Sequence, residues 1–224
     1  MDRRQIKTIS VVEGLATALK EAIFRMEYQP GQQITEAELV ARYGVSRNTV
    51  REAASLLIGI GLLEKEANRG VFVKAICESD VREIFHFRAL LECEAIRRII
   101  HIGTVPDSLV RAMESIEKDP FLKGDWYRFV ESDLNFHAQL VQAARSPRLI
   151  RLYDAISSEI MLCLCQSKNT LIMNPRNIYE HRKFIEVLRN NDERSAVELV
   201  SNHIIYGIEN VARGFHSEQN TDNT

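Results

Sequence analysis

The chain has 224 residues, of which 45% are hydrophobic, and this is enough to bury one large core or two modest ones. Its formal net charge of −2 and its isoelectric point near 6.3 argue neither for nor against a nucleic-acid partner. No apolar run approaches the roughly 20 residues of a membrane span, and the N-terminus lacks a hydrophobic signal core, so we expect a cytoplasmic protein.

The first predicted element is a helix from Val11 to Glu27. It precedes a Gln-Pro-Gly turn at residues 29–31, where a helix cannot continue. Apolar residues recur in it at the spacing of one helix face, namely Val12, Leu15, Leu19, Ile23 and Met26.

Two shorter helices are predicted next. Thr35 and Glu38 have the spacing of a capping box, in which a hydroxyl and a carboxylate bind amides at a helix start. They predict a second helix over 36–43 that ends at Gly44. Ser46 is then placed to cap a third helix. Together with the first, these helices can share one small core.

The third helix concentrates hydrogen-bond donors at its N-terminal end, the part of a recognition helix that enters the major groove of DNA. Two short strands, Leu62–Glu64 and Val71–Val73, are predicted around a tip at residues 67–70. The pattern predicts a winged helix-turn-helix over residues 1–75. These residues hold 11 Lys and Arg against 9 Asp and Glu, whereas residues 76–224 hold 18 against 22, so the basic charge is local.

The segment GQQITEAELVARYGVSRNTVREAASLLIGIGLLEKEANRGVFV resembles the N-terminal domain of the GntR family of bacterial transcription regulators. Some members carry an arginine where this chain has Ala37, and Arg42 on the same helix is expected to contact a phosphate instead. The alternative is a winged helix used only for protein contacts, although Glu52 is the only acid among the bases of the third helix. The resemblance implies contacts to double-stranded DNA by Ser46, Arg47, Asn48, Thr49, Arg51, Arg69 and Gly70.

The remainder of the chain is predicted to be an antiparallel all-α bundle, so the fold class is mainly α. Ser79 is placed to cap the first of six helices, and the tail from Gly214 to Thr224 is expected to be disordered. The predicted helices cover residues 79–100, a short segment after 105–107, then 125–144, 147–166, 175–189 and 193–212. Buried reduced thiols, rather than a disulfide or a zinc site, are expected for Cys77, Cys93, Cys163 and Cys165.

Charged and polar residues lie on the apolar stripes of this bundle. Asp133 and His137 are one turn apart on an inward-facing stripe, and His181 and His203 lie on the stripes of two later helices. A buried aspartate is costly unless something pairs with it. The histidines can fill that role by themselves, or all four residues can bind a divalent transition metal such as zinc, nickel or manganese. We favour the metal.

This half also resembles a known family. The segments DLNFHAQLVQAARSPRLIRLYDAI and EHRKFIEVLRNNDERSAVELVSNHI are similar to the ligand-binding (FCD) domain of the FadR-type branch of GntR regulators. The resemblance implies metal ligands at Asp133, His137, His181 and His203 and a small organic acid as the effector. Arg88 lies on an inward stripe, where it can bind a carboxylate of that effector or an internal Asp or Glu.

The expected function is a homodimeric, ligand-responsive transcription regulator that is not an enzyme. The winged domain, residues 1–75, would bind a pseudo-palindromic operator, and residues 76–213 would bind metal and effector and form the dimer. Two alternatives remain at this stage. One is a metal-dependent enzyme fused to a DNA-binding domain, and the other is a regulator whose metal is purely structural.

Overall fold

The computed structural model describes residues 10–118, 125–167 and 175–216, of which residues 175–178 and 216 are described by their backbone alone. The chain divides into two compact units, Met1–Ala75 and Ile76–Thr224, called here the winged unit and the bundle unit. Among the described residues, no helix combines the length and the apolarity that a membrane crossing requires.

The described residues of the winged unit form three helices and a small antiparallel sheet. Its strand order is β1–β3–β2, and Leu63 pairs with Val73 while Gln33 pairs with Phe72. Its core is formed by fully buried aliphatic side chains from all three helices, including Leu19, Leu39 and Leu57. The elements are α1 (Val11–Phe24), β1 (Gln33–Ile34), α2 (Glu36–Tyr43), α3 (Arg47–Gly59), β2 (Leu63–Glu66) and β3 (Gly70–Val73).

Helices are the only regular elements among the described residues of the bundle unit. Its longest helix, α4, packs against α6, α7 and α9, so the interior is arranged around it. The predicted mainly α architecture is therefore confirmed. The elements are α4 (Glu78–Ile102), α5 (Asp107–Lys118), α6 (Trp126–Ala143), α7 (Pro147–Gln166), α8 (Pro175–Arg189) and α9 (Glu193–His216).

Helix α1 is shorter than predicted. It ends at Phe24 rather than at Glu27, because Met26 adopts a left-handed conformation with φ of 60°. The amide of Glu27 then donates to the carbonyl of Ala22 at 2.9 Å, which is the closing bond of a Schellman motif. The predicted helix was too long because the apolar spacing continues to Met26, beyond the residue at which the helix ends.

The start of α2 is also only partly as predicted. Thr35 accepts the amide of Glu38 at 3.2 Å, as a capping residue should. The carboxylate of Glu38, however, is hydrogen-bonded to the side chain of Tyr28. A buried tyrosine from the preceding loop therefore engages the acid that was assigned to the capping box.

Further differences concern the strands and the ends of the bundle helices. The two-residue strand β1 was not predicted, since a strand this short has no readable alternation. Helix α4 begins after Cys77 and not after Ser79, because the carboxylate of Asp80 accepts the Cys77 amide at 2.9 Å. Cys77 is exposed rather than buried, whereas Cys163 and Cys165 are buried. Residues 214–216 continue α9, and the rest of the predicted tail lies outside the described residues.

Two glycines of the winged unit provide a matched test of backbone conformation. Gly44 ends α2 with φ of 66°, whereas Gly14 lies inside α1, and a Cβ atom at either position would meet nothing within 4 Å. We expect Gly44→Ala to destabilise the winged unit by about 1 kcal/mol, since L-residues avoid the left-handed region. Gly14→Ala should stabilise it by roughly 0.5–1 kcal/mol. Amide hydrogen exchange of peptides from α2 and α3 measures both effects, and equal shifts in one direction would contradict this assignment.

Candidate functional site

The first turn of α3 presents hydrogen-bond donors to solvent. The side chain of Ser46 accepts the amide of Thr49 at 3.2 Å and so fixes the start of the helix. Arg47, Asn48 and Arg51 are exposed, and the turn contains no acidic residue. The opposite face of the helix is anchored in the core by Val50, Ala53 and Leu57. This geometry suits a helix that offers its N-terminal end to an anion such as DNA.

Arg51 is held in place by a residue of the neighbouring helix. Its Nε and Nη2 atoms lie 2.6 and 3.1 Å from the two carboxylate oxygens of Glu36 at the start of α2. This forked contact fixes the plane of the guanidinium group. The hydrogen bond from Arg51 also lowers the pKa of Glu36.

Arg42, by contrast, is engaged inside the winged unit. Its guanidinium group forms an ion pair with Glu27, and it donates to the hydroxyl of Tyr28 at 3.3 Å. The same group lies over the rings of Tyr28 and Tyr43. A phosphate contact by Arg42 would therefore require the pair with Glu27 to open. Sequence reasoning missed this pairing, because Glu27 was assigned to the end of α1.

The wing tip carries Arg69, whose side chain is 69% exposed. Its guanidinium group pairs with Glu66 and lies 5.3 Å from the centroid of the Phe72 ring. The side-chain amide of Gln33 donates to the Arg69 carbonyl at 2.6 Å. Gly70 has φ of 117°, and a Cβ atom there would meet the Gln33 amide nitrogen at 2.8 Å. The short strand β1 thus ties down the tip that displays Arg69.

Three histidines meet inside the bundle unit, and we call them the histidine cluster: His137 from α6, His181 from α8 and His203 from α9. The Nε2 atoms of His137 and His181 are 3.0 Å apart. One nitrogen from each of the three rings lies within 4.8 Å of the others. His137 and His181 are fully buried, and 10% of the His203 side chain is exposed. The helix packing therefore brings together residues that are 66 positions apart in sequence at their extremes.

Carboxylates behind the cluster engage the Nδ1 atoms of two of the three rings. His137 Nδ1 is 2.6 Å from Glu92, and His203 Nδ1 is 2.8 Å from Glu180. Burial lowers the pKa of His137 despite the nearby carboxylate, which favours the neutral ring. A neutral ring that donates through Nδ1 has a lone pair on Nε2. One nitrogen from each ring lies within 4.8 Å of the others. This donor set fits a cation, since carboxylates behind metal-binding histidines are the usual arrangement.

Asp133 lies at the edge of the histidine cluster. One carboxylate oxygen is 3.4 Å from Nε2 of His181, and the other is 4.0 Å from Nε2 of His137. Asp133 is 8% exposed and also lines a small cavity. The structure thus brings together all four residues that the sequence singled out as metal ligands.

Arg88 lies on α4 behind the cluster, and its main partner is internal. Its Nε atom donates to Glu92 at 2.8 Å, and both side chains are buried. One guanidinium nitrogen, Nη2, has no hydrogen-bond partner among the described residues. Arg88 also lines a cavity of about 50 Å³ together with Asp133, His203, Tyr206 and Asn210. The bond to Glu92 supports an internal role for Arg88, and its unpartnered nitrogen and its place in the cavity lining are consistent with a contact to a ligand.

Glu92 is one of the residues of this region that sequence reasoning missed. It is fully buried and accepts hydrogen bonds from Arg88, His137 and, at 3.3 Å, the hydroxyl of Tyr153. Burial opposes its ionisation, but His137 and Arg88 outweigh that effect and hold the pKa of Glu92 at about 2. The sequence contains one indication of its role, because Glu92 follows Arg88 by four residues and can pair with it on the same helix face. Glu180 gave no signal, since its role depends on how α8 packs against α9.

Two protein-family models match the chain. Residues 12–73 match the model of bacterial regulatory proteins of the gntR family. Residues 83–205 match the model of the FCD domain, which covers more than half of the chain. The two matches fall within the winged unit and the bundle unit respectively.

Curated relatives carry names of the same class. The chain is 26% identical over 195 residues to the uncharacterized HTH-type transcriptional regulator YdhC of Bacillus subtilis, covering 86% of this chain and 87% of the relative. It is 28% identical over 174 residues to a protein of Paenarthrobacter nicotinovorans, covering 78% and 76% respectively. That relative is named a probable D-xylose utilization operon transcriptional repressor.

Solved structures share the fold. A GntR transcriptional regulator from Rhodococcus sp. RHA1 superposes with a TM-score of 0.77 at 23% identity, covering 89% of this chain and 96% of its own. The structure of McbR/YncC from E. coli also gives a TM-score of 0.77, at 17% identity, covering 93% and 100%. At these identities the likeness concerns the fold alone.

The buried Glu92 generates a prediction about acid stability. In metal-free protein, Glu92→Gln should lower the free energy of unfolding by about 3 kcal/mol at neutral pH, because it leaves the Arg88 cation buried without its counter-charge. The pKa of Glu92 is lower in the folded protein than its ordinary 4.5, so the stabilisation is complete above that pH. The difference between wild type and variant should shrink as the pH falls from 4.5 towards 2.

Urea titrations with EDTA at several pH values measure this difference. The matched control is Glu94→Gln on the same helix, whose half-exposed carboxylate pairs with Arg98 at 2.8 Å. A surface pair of this kind contributes about 0–1 kcal/mol. Equal losses of stability in the two variants would contradict the role given to Glu92.

Proposed function

Because the chain belongs to the gntR family of bacterial regulatory proteins and is a transcriptional regulator with an FCD domain, we propose that it is a metal-dependent sensor of a small organic acid. In this proposal the winged unit binds a pseudo-palindromic operator. The histidine cluster, with Asp133, binds a divalent transition metal. The acid binds beside it and alters operator affinity.

The observation that carries the metal assignment is the convergence of imidazole nitrogens. With Nδ1 of His137 and His203 directed at carboxylates, the Nε2 atoms direct lone pairs into a shared space. The Nε2 atoms of His137 and His181 are 3.0 Å apart, so either one ring donates a proton to the other or a cation accepts the lone pairs of both. Three imidazoles and one carboxylate suit zinc, nickel or manganese, and in an octahedral arrangement they leave positions for other ligands. When bound, such an ion supplies a Lewis-acid site for a carboxylate oxygen.

The cavity beside the cluster supports an anionic effector of small size. Arg88 lines this cavity, and its Nη2 atom has no hydrogen-bond partner among the described residues. The charge of Glu92 is shared among Arg88 and two other donors, so Arg88 retains capacity for a second carboxylate. The volume of about 50 Å³ admits a molecule of a few non-hydrogen atoms.

The route from effector to DNA in this proposal runs through α4. This helix carries Arg88 and Glu92 and is the first element after the winged unit in the chain. In a dimer, a shift of α4 would alter the distance or angle between two recognition helices, which must match half-sites about one DNA turn apart. A coupling of about 1–3 kcal/mol is typical of such switches and corresponds to about 5- to 150-fold in affinity.

The DNA-binding part of the proposal is tested on α3. Arg51→Ala should weaken binding to the cognate operator by about 1–3 kcal/mol, because Glu36 orients its guanidinium group for a specific contact. Gel-shift titrations on DNA selected by the wild-type protein from a random pool measure this. Arg194→Ala in the bundle unit removes the same charge and serves as the control. Unchanged affinity of Arg51→Ala would remove Arg51 from the interface.

The sensing part is tested by metal content and effector response together. We expect the purified protein to bind about one equivalent of zinc or nickel per chain, and His181→Ala to bind none, since it removes a central ligand. His86→Ala, at an exposed position, should bind as the wild type does. At least one acid from a panel of two- to four-carbon carboxylates should change operator affinity by about 5- to 150-fold. This change should occur only when the protein is loaded with metal.

Each failure in this experiment has a distinct meaning. If the metal binds and raises the melting temperature but no acid changes DNA affinity, the metal is structural. Turnover of an acid by the loaded protein would replace the sensor with an enzyme. If His181→Ala and His86→Ala bind metal equally, the histidine cluster is not the site.

A further inference from the structure

The wing tip places Arg69 between two residues with left-handed backbone conformations. The amide of Arg69 donates to the carbonyl of Glu66 at 3.2 Å and closes a turn between β2 and β3. Asn68 has φ of 60°, and Gly70 has φ of 117°. Glycine tolerates a wider range of φ than any other residue, so the peptide group between Arg69 and Gly70 rotates at low cost. A contact that holds this peptide group therefore also holds Arg69.

Gln33 supplies such a contact from a distant part of the sequence. Its backbone on β1 pairs with Phe72 on β3, and its side-chain amide reaches the tip and donates to the Arg69 carbonyl at 2.6 Å. The missing side chain of Gly70 makes this approach possible, because a Cβ atom there would lie 2.8 Å from the amide nitrogen of Gln33. Gln33 and Gly70 are thus matched to each other across the two strands.

The side chain of Arg69 is held more weakly than its backbone. It is 69% exposed, it pairs with Glu66, and it lies 5.3 Å from the centroid of the Phe72 ring. Exposed ion pairs of this kind are weak, because water competes for both partners. The guanidinium group can therefore exchange Glu66 for another anion while the peptide group that precedes Gly70 stays in place.

We propose that Gln33 is a positioning residue for DNA binding that acts through Arg69. By holding the peptide group between Arg69 and Gly70, it fixes the direction in which the Arg69 side chain leaves the wing. The anion that Arg69 meets is the sugar-phosphate backbone of the operator, which attracts exposed guanidinium groups whatever the base sequence. The inference rests on the proposed function, since it requires that the winged unit binds an operator.

The benefit of this contact is a smaller loss of freedom on binding. A tip whose peptide group rotates must first be ordered before Arg69 meets a phosphate, and this ordering weakens the complex. With the bond from Gln33 in place, the order exists before DNA arrives. One hydrogen bond of ordinary strength corresponds to about 2- to 12-fold in affinity. Strand β1, although only two residues long, thereby contributes to the DNA-binding surface.

A double-mutant cycle tests this role. Gln33→Met keeps the length of the side chain but removes its donor, and it should raise the operator dissociation constant about 2- to 12-fold. Arg69→Ala should also raise the constant, and it should lower the salt dependence of log Kd by about one for each bound wing. In the Arg69→Ala background, Gln33→Met should change the constant by less than about twofold. Gel shifts at several salt concentrations, on DNA selected by the wild-type protein from a random pool, measure these constants.

Two controls separate positioning from a general effect on folding. Gln142→Met is the same substitution at an exposed position of α6 in the bundle unit, and it should leave the operator dissociation constant at the wild-type value. Amide hydrogen exchange of peptides from α2 and α3 should be equal in Gln33→Met and wild type, because the side chain of Gln33 is exposed and lies outside the core.

Three results would overturn the inference. The first is a normal dissociation constant for Gln33→Met. The second is an equal loss of affinity with and without Arg69, because Gln33 would then act on DNA directly or on the whole winged unit. The third is an unchanged constant and salt dependence for Arg69→Ala, which would leave Gln33 no contact to support. None of these results alters the Arg51 test of the proposed function, whereas a wild type that selects no operator would overturn both.

Discussion

The bundle unit depends on one buried carboxylate. Glu92 has no exposed surface, and an ionised acid in that position is tolerated only if its oxygens are satisfied. Its three hydrogen-bonding partners come from different places: Arg88 from the same helix, His137 from α6 and Tyr153 from α7. The rotation of three helices about their axes is therefore constrained at a single point. A rotation that broke any one of these contacts would leave a charge or a polar group unpaired in the interior.

This constraint explains why the histidine cluster differs from ordinary core histidines. A core histidine needs one partner for each ring nitrogen and can find it in a backbone carbonyl or a hydroxyl. Here Glu92 and Glu180 each engage Nδ1 of a different histidine, so the remaining nitrogens of His137 and His203 are left for the shared space. Asp133 adds negative charge within 3.4 Å of His181. Carboxylates placed behind imidazoles in this way support the metal that we propose for the cluster.

The limits of sequence reasoning follow from the range of the interactions. The bounds of α2, the start of α3 and the pairing of Asp133 with His137 along one stripe depend on neighbours within four residues, and the sequence predicted them. Glu180 and Tyr153 act through side chains on other helices, so no local pattern marks them. Arg42 was assigned to DNA because it lies on the same helix as Ala37, whereas its partner Glu27 became visible only with the turn at Met26. Strand β1 exists because β3 offers an edge, and two residues carry no periodicity of their own.

Helices α4 and α7 each connect two different surfaces of the bundle unit. The inner side of α4 carries Arg88 and Glu92, and its outer side carries Phe87 and Leu90. Helix α7 carries Tyr153 inward and Leu152 outward, one residue apart. Side chains in a closely packed interior cannot move independently, so a ligand that draws Arg88 away from Glu92 must change the support of His137 and Tyr153 together. The outer residues of both helices then shift with the same backbones, which gives a physical path from the buried site to the surface of the bundle unit.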